Sequence, residues 1–269
     1  MAKIGAIIGV YQEADYLPYA IKQAEQFCDE IIIFEGCHSV NHPTRSTDGT
    51  VEIVEQSGHE HYMLDNNSGQ RYDSFQCDIW TMGVAEMMAR GCDWFRFWDC
   101  DTYFFDKDLS KVKETMETTS KDCLTWCERR FLFNWRLNTR EVSGRFYRVT
   151  DGMFLKPISR VHHKDGSFYN DNTQQLPITP YHFTQAKKLA RAEFRFQLSK
   201  EKGTPGIDEL WEKYKNFKLP PAEAWWEHDK EVCELVGGYG PTYLPLEHQY
   251  PEVLDGHPYR FVNDIRTVE

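Results

Sequence analysis

Two apolar β-type runs flanking one amphipathic helix constrain this chain most. Ile4-Gly5-Ala6-Ile7-Ile8-Gly9-Val10 shows no polar alternation, the pattern of a strand buried on both faces in a parallel sheet. Leu17, Ile21, Ala24 and Cys28 then recur at spacings of four, three and four, and Pro18 suits a first helical turn. Glu30-Ile31-Ile32-Ile33-Phe34 follows as a second buried strand. A β-α-β unit this short predicts parallel strands with a right-handed crossover.

The alternation of strand and helix continues. A polar stretch over 35–49 is long for an α/β connection. Ser46-Thr47-Asp48 can cap a helix carrying Val51, Ile53 and Val54. Residues 61–64 read as a third strand. Phe75, Ile79, Met82, Ala85 and Met88 mark a helical face, and Trp94-Phe95-Arg96-Phe97-Trp98 a fourth strand. Short strands are expected at 123–127, 131–135, 145–149 and 153–155, and a helix over 185–200. Gly203-Thr204-Pro205-Gly206 breaks the chain. Ile207, Leu210, Trp211, Tyr214 and Phe217 return at helical spacing, before Pro220-Pro221 and Trp225-Trp226. The expected fold class is α/β: a Rossmann-like, mostly parallel mixed sheet flanked by helices, with a small antiparallel portion. The expected division is a domain over 1–200 and a helical or irregular, aromatic-rich appendage over 201–269.

Composition narrows the function classes. The 31 basic and 42 acidic residues leave a formal charge of −11, which argues against a broad footprint on nucleic-acid phosphates or anionic lipid. No apolar run approaches the ~18 residues of a membrane span, and the N-terminal run is too short for a signal segment. The expectation is a cytoplasmic chain without integral membrane association. Eight cysteines, none in a CxxC pair, fit reduced thiols. The aromatic C-terminal residues suggest a stacking surface or a homodimer contact.

Asp99-Cys100-Asp101 stands directly after the fourth strand. In open α/β sheets ligands sit at the carboxyl ends of strands. Alternation along extended chain sends both carboxylates to the same side. Two such groups need a cation or strong donors there. Hard oxygens suit Mg²⁺ or Mn²⁺, which bridges carboxylates to substrate phosphates. The bland reading is a surface turn, and Asp106-Lys107-Asp108 is read that way. A HAD-type phosphatase motif needs Thr or Val where Tyr103 stands.

Ile7-Ile8-Gly9-Val10-Tyr11-Gln12-Glu13, Ile31-Ile32-Ile33-Phe34-Glu35, Ser46-Thr47-Asp48-Gly49-Thr50 and Phe97-Trp98-Asp99-Cys100-Asp101 occur in that order. Arg145-Phe146-Tyr147-Arg148 and Pro180-Tyr181-His182-Phe183 follow. Together, over about residues 3–200, they resemble the nucleotide-sugar-dependent glycosyltransferases of GT-A fold, especially the family-two group. The resemblance implies that Val10, Tyr11, Glu13 and Glu35 line a nucleoside pocket; Asp48 of the Ser-x-Asp-Gly-Thr segment is a further donor-site candidate, and Gln70-Arg71-Tyr72, ahead of a helix, offers Arg71 as a cation near phosphate. It implies that Asp99 approaches ribose or metal, that Asp101 coordinates the metal, and that His182 adds a metal or diphosphate contact. In the resembled group basic residues at this place reach the diphosphate, which makes Lys187 and Arg191 candidates for that contact. Gln12 stands where the group has Asn, Glu35 where it has Asp, and Thr102 where an acid usually follows. Residues 36–45 are an insertion.

The chemistry implied is transfer of a sugar from a nucleoside diphosphate, with UDP the expected carrier and Mn²⁺ or Mg²⁺ the cofactor. The acceptor is a hydroxyl on a glycan, protein, lipid or modified nucleobase. An inverting transfer needs a general base near that hydroxyl. Asp165 follows Val161-His162-His163-Lys164 and is the first choice, with Asp151, Glu128 and His163 as others. A retaining transfer need not have one. Two other readings stand: a nucleotidyltransferase or pyrophosphorylase, against which the first loop lacks a Gly-rich basic segment, and a non-catalytic sugar binder. Cys37-His38 with His42, and His59-Glu60-His61, lack the spacing of a closed zinc site.

Overall fold

The computed structural model describes residues 1–37, 39, 41–65, 72–156, 160–165, 167, 169–201, 203–221, 232, 235, 239–245 and 247–268. The chain opens with β1 (Ile4–Val10), α1 (Leu17–Phe27), β2 (Glu30–Glu35), α2 (Thr50–Gln56), β3 (Glu60–Met63), α3 (Tyr72–Ala89) and β4 (Trp94–Phe97). β5 (Thr102–Tyr103), α4 (Asp106–Thr118), β6 (Cys123–Leu132), β7 (Leu137–Arg148), β8 (Phe154–Lys156), β9 (Arg160–His162) and β10 (Thr173–Gln175) follow. β11 (Tyr181–Gln185), α5 (Leu189–Glu201), α6 (Ile207–Asn216) and β12 (Tyr239–Tyr243) complete the regular elements. The fold is α/β and Rossmann-like: a mixed, mostly parallel sheet flanked by helices, with added irregular segments.

Contacts divide the chain into two compact units, one of Met1–Asp101, Asp106–Trp126 and Ser143–Ile178, the other of Thr102–Phe105, Cys127–Val142 and Thr179–Glu269. In the first unit the strand order is β3-β2-β1-β4-β7. β1 runs parallel to β2 and β4, β2 parallel to β3, and β7 antiparallel to β4. The registers Val10↔Glu35, Glu35↔Met63 and Ile7↔Phe97 bring the carboxyl ends of all four parallel strands to one edge. The order reverses between β1 and β4, the switch point where such sheets form crevices.

Apolar side chains cover both faces of these strands. On one face Phe95, Phe97 and Tyr147 pack together, with Trp80 of α3 at 4.7 Å from Phe97. α3 lies so close to β1 that a Cβ at Gly83 would stand 2.7 Å from Ile7. On the other face Phe27, Trp98, Phe146 and Trp126 form a second aromatic layer. α1 contributes Phe27 and buries Leu17, Ala20, Ile21 and Ala24. β8 and β9 form a separate two-stranded antiparallel sheet.

In the second unit β11 runs parallel to β6 and antiparallel to β5, and β12 runs antiparallel to β7. Phe131 stacks on Phe183 at 4.7 Å, and Trp135 packs on Phe183 at 4.5 Å. The Arg266 guanidinium lies 4.2 Å from the Phe133 ring and donates to the carbonyls of Tyr214 and Phe217. It thereby ties the chain's last residues to the end of α6.

Two local expectations change. Residues 123–135 form not two strands but one, β6, followed by a turn. Phe133 adopts a left-handed φ of 59°, and Asn134 Oδ1 accepts from the N–H groups of Arg136 and Leu137. Asp106-Lys107-Asp108 is the first turn of α4 rather than a surface turn. Its acids sit where the helix dipole favours them, and Leu109, Val112 and Met116 bury the inner face. Among the described residues no helix is long and apolar enough to cross a membrane.

Candidate nucleotide and metal site

The carboxyl ends of β1 and β2 are knitted together by the polar segment before α2. Gln12 takes a φ of 55°, and its N–H donates to Ser46 Oγ at 2.8 Å. The Glu13 N–H donates to Thr50 Oγ1 at 2.9 Å, and the Ala14 N–H to Asp48 Oδ2 at 3.0 Å. Asp48 Oδ1 accepts from both the N–H and the hydroxyl of Thr50, at 3.1 and 2.6 Å. The fully buried Glu35 accepts the Ser46 N–H at 2.9 Å, and its other oxygen stands 3.6 Å from Arg45. The Tyr11 hydroxyl donates to the Pro43 carbonyl at 2.9 Å.

Val10, Tyr11, Glu13, Glu35 and Asp48 are thus brought together at one strand edge of the first unit. The Ser-Thr-Asp-Gly-Thr segment shapes the loop after β1 through backbone hydrogen bonds. The polar stretch over 36–45 is held at its first and last residues, by Gly36 N–H to Val10 O and by Arg45 to Glu35. Arg71 lies outside the described residues, as do His38, Trp225 and Trp226.

Asp99 and Asp101 follow β4 on the same edge. The Trp98 N–H still bonds to the Ile7 carbonyl, so the acidic segment leaves directly beside β1. Asp101 is 6% exposed. The Asp99 side chain is 56% exposed and stands 3.5 Å from Arg96 Nη2. Arg96 is a residue that the motif reading passed over. Its signal was available: a lone cation inside an otherwise aromatic strand, three positions before Asp99. Among the described residues no group of three or more His, Cys, Asp or Glu side chains could hold a metal by itself. Asp99 and Asp101 leave β4 through a turn rather than as extended chain, the first exposed and the second buried, so strand alternation does not set their directions. Each carboxylate is by itself a hard ligand of the kind Mg²⁺ combines with substrate phosphate and water.

Glu128 and His182 pair within the second unit. Glu128 is 1% exposed, and its Oε1 lies 2.7 Å from His182 Nδ1. Arg130 Nε donates to the same oxygen at 3.3 Å, and Arg130 also pairs with Glu141. The pair belongs to adjacent strands, since His182 of β11 is in register with Arg130 of β6. Carboxylate support of this kind fixes an imidazole's tautomer and orientation. Lys187 is buried in the second unit.

Asp151 and Asp165 are exposed loop residues of the first unit. The Ser167 hydroxyl and N–H both donate to Asp165, which holds its carboxyl below the usual range. Trp211 packs at 5.0 Å on Phe196 and stacks at 6.0 Å on Tyr214, as part of the second unit's apolar cluster. Beside it a cleft of about 270 Å³ opens between α5 and α6, lined by Thr184, Ala192, Arg195, Phe196, Leu210 and Tyr214 among others.

No family model matches the chain, and no curated protein matches it. Solved structures align at low identity. S. aureus TarS 1-349 in complex with UDP-GlcNAc is 13% identical at a TM-score of 0.46, covering 87% of this chain and 79% of that one. Another structure of S. aureus TarS 1-349 gives 15%, 0.45, 87% and 70%. Glucosyl-3-phosphoglycerate synthase from Mycobacterium tuberculosis, with Mn²⁺, UDP and glucosyl-3-phosphoglycerate, gives 12%, 0.44, 76% and 81%. Similarity at this level assigns no activity, so the functional reading rests on the residues.

Proposed function

We propose that the protein is a divalent-metal-dependent glycosyltransferase of GT-A type that uses a uridine-diphosphate sugar. The observation that carries the reading is the acidic pair Asp99 and Asp101 at the sheet's switch point, beside the buttressed loop after β1. Val10, Tyr11 and Glu13 are on the nucleoside side, with the buried Glu35 acting behind them through Ser46, and Asp48 acts through the loop it holds. Asp101, with Asp99, holds Mn²⁺ or Mg²⁺. The cation, when bound, neutralises charge on the departing diphosphate as a Lewis acid.

The chain's own residues supply the rest. The loop after β1, held by Ser46, Asp48 and Thr50, presents the nucleoside. His182 and Lys187 are proposed on the diphosphate from their sequence pattern. Glu128, Asp151 and Asp165 are the proposed candidates for the proton acceptor of the acceptor hydroxyl; within the second unit Glu128 is buried and lies 2.7 Å from His182.

The test is Asp101→Ala. It should remove Mn²⁺-dependent transfer and donor hydrolysis, while circular dichroism and melting show a folded chain. Full activity in that variant would sink the proposal.

A further inference from the structure

Arg96 is 1% exposed, inside the first unit. Its guanidinium carbon lies 4.9 Å from the Trp126 ring centroid, 5.3 Å from that of Trp98 and 5.7 Å from that of Phe146. Nε donates to the Phe97 carbonyl at 3.2 Å, and Nη2 stands 3.5 Å from Asp99 Oδ2. Arginine keeps its charge in proteins. Removing that charge from water is costly unless ring faces and a counter-charge replace the hydration. The aromatic layer fixes the guanidinium in place, so Asp99 faces a permanent cation held by packing.

We infer that Arg96 is the built-in counter-ion of the acidic strand end: it offsets Asp99, leaves Asp101 as the principal carboxylate for a divalent cation, and makes cation binding depend on the nucleotide's diphosphate. This rests on the nucleotide-site reading above. Taken by themselves, these two carboxylates and one guanidinium carry a net charge of about −1. A hard divalent cation needs more oxygen ligands and more negative charge than that, and no three-residue cluster supplies them among the described residues. A diphosphate brings both. Because coupling is reciprocal, the metal should strengthen UDP binding by the factor by which UDP strengthens metal binding. Arg96 is thus a positioning residue that sets the order of assembly.

The test is Mn²⁺ binding to the full chain, read by the electron paramagnetic resonance of free Mn²⁺, with and without UDP. The native chain should bind Mn²⁺ weakly alone and much more tightly with UDP. Arg96→Met, whose apolar stem fills the aromatic box, should bind Mn²⁺ alone about tenfold more tightly, as loss of a nearby like charge requires. The enhancement by UDP should shrink accordingly, and Arg96→Lys should behave as the native chain.

If Arg96→Met does not fold, Asp99→Asn, at an exposed position, serves instead. With its carboxylate partner removed, Arg96 should raise metal-free UDP affinity severalfold. Unchanged or weaker nucleotide-free Mn²⁺ binding in Arg96→Met overturns the inference, as does weaker metal-free UDP binding in Asp99→Asn. If the native chain binds neither Mn²⁺ nor UDP, the nucleotide-site reading itself falls, and this inference with it.

Discussion

Asp48→Ala probes whether the Ser-Thr-Asp-Gly-Thr segment contacts the donor or holds the loop that does. Asp48 accepts three hydrogen bonds, one from the Ala14 N–H and two from Thr50. Thr50 is fully buried and in turn accepts the Glu13 N–H. Hydrogen bonds to charged groups contribute about 1.5–3 kcal/mol each when well shielded. Asp48 is exposed, so the lower end applies, and about 2–3 kcal/mol is lost in all once the bonds' shared geometry is allowed for. For a domain of this size each kcal/mol shifts the melting midpoint by about 2–4 °C, so a fall of roughly 4–12 °C is expected.

The assay is thermal unfolding followed by circular dichroism, paired with calorimetric UDP titration on the same samples. UDP affinity should fall together with the midpoint, because residues 11–14 loosen. Thr50→Val, which removes the hydroxyl shared by Glu13 and Asp48, should reproduce both effects. An unchanged midpoint with lost UDP affinity in Asp48→Ala would refute the reasoning, since it would make Asp48 a direct donor contact.

Gly144→Ala should destabilise the chain by about 2–4 kcal/mol in urea unfolding, because Gly144 has a φ of 74° and its added Cβ would meet the Trp126 ring at 2.3 Å. Glu30 is held below the usual carboxylate range, first by the Lys3 hydrogen bond and then by Arg90. A depressed carboxyl stabilises the fold above its unfolded pKa and loses that contribution as pH falls through its folded value. Glu30→Gln should therefore lower the urea midpoint at neutral pH and match the native chain in acid.

The parallel half was legible because its strands are buried on both faces and read as unbroken apolar runs. β1, β2 and β4 stand within a residue or so of their expected places. α4 was missed because three apolar residues among ten polar ones carry little periodic signal, and its opening Asp-Lys-Asp looks like a turn. β6 was split in two because Phe133, though aromatic and strand-like in type, takes a left-handed turn fixed by Asn134 several residues from any Gly or Pro. At the site, ordered motifs named the residues at the strand ends. They could not show that Asp48 spends its oxygens on backbone N–H groups, nor that Glu128 and His182 pair across strands 54 positions apart in sequence. Arg96 carried no motif at all. Its meaning comes from Trp126 and Phe146, which only folding brings to it.

The most direct measurement is calorimetric titration of UDP into the full chain, with and without MnCl₂. One UDP should bind per chain, much more tightly with Mn²⁺, and the Mn²⁺ effect should be lost in Asp101→Asn. Absence of UDP binding in both buffers, or binding that ignores Mn²⁺ and Asp101 alike, would contradict the proposed function.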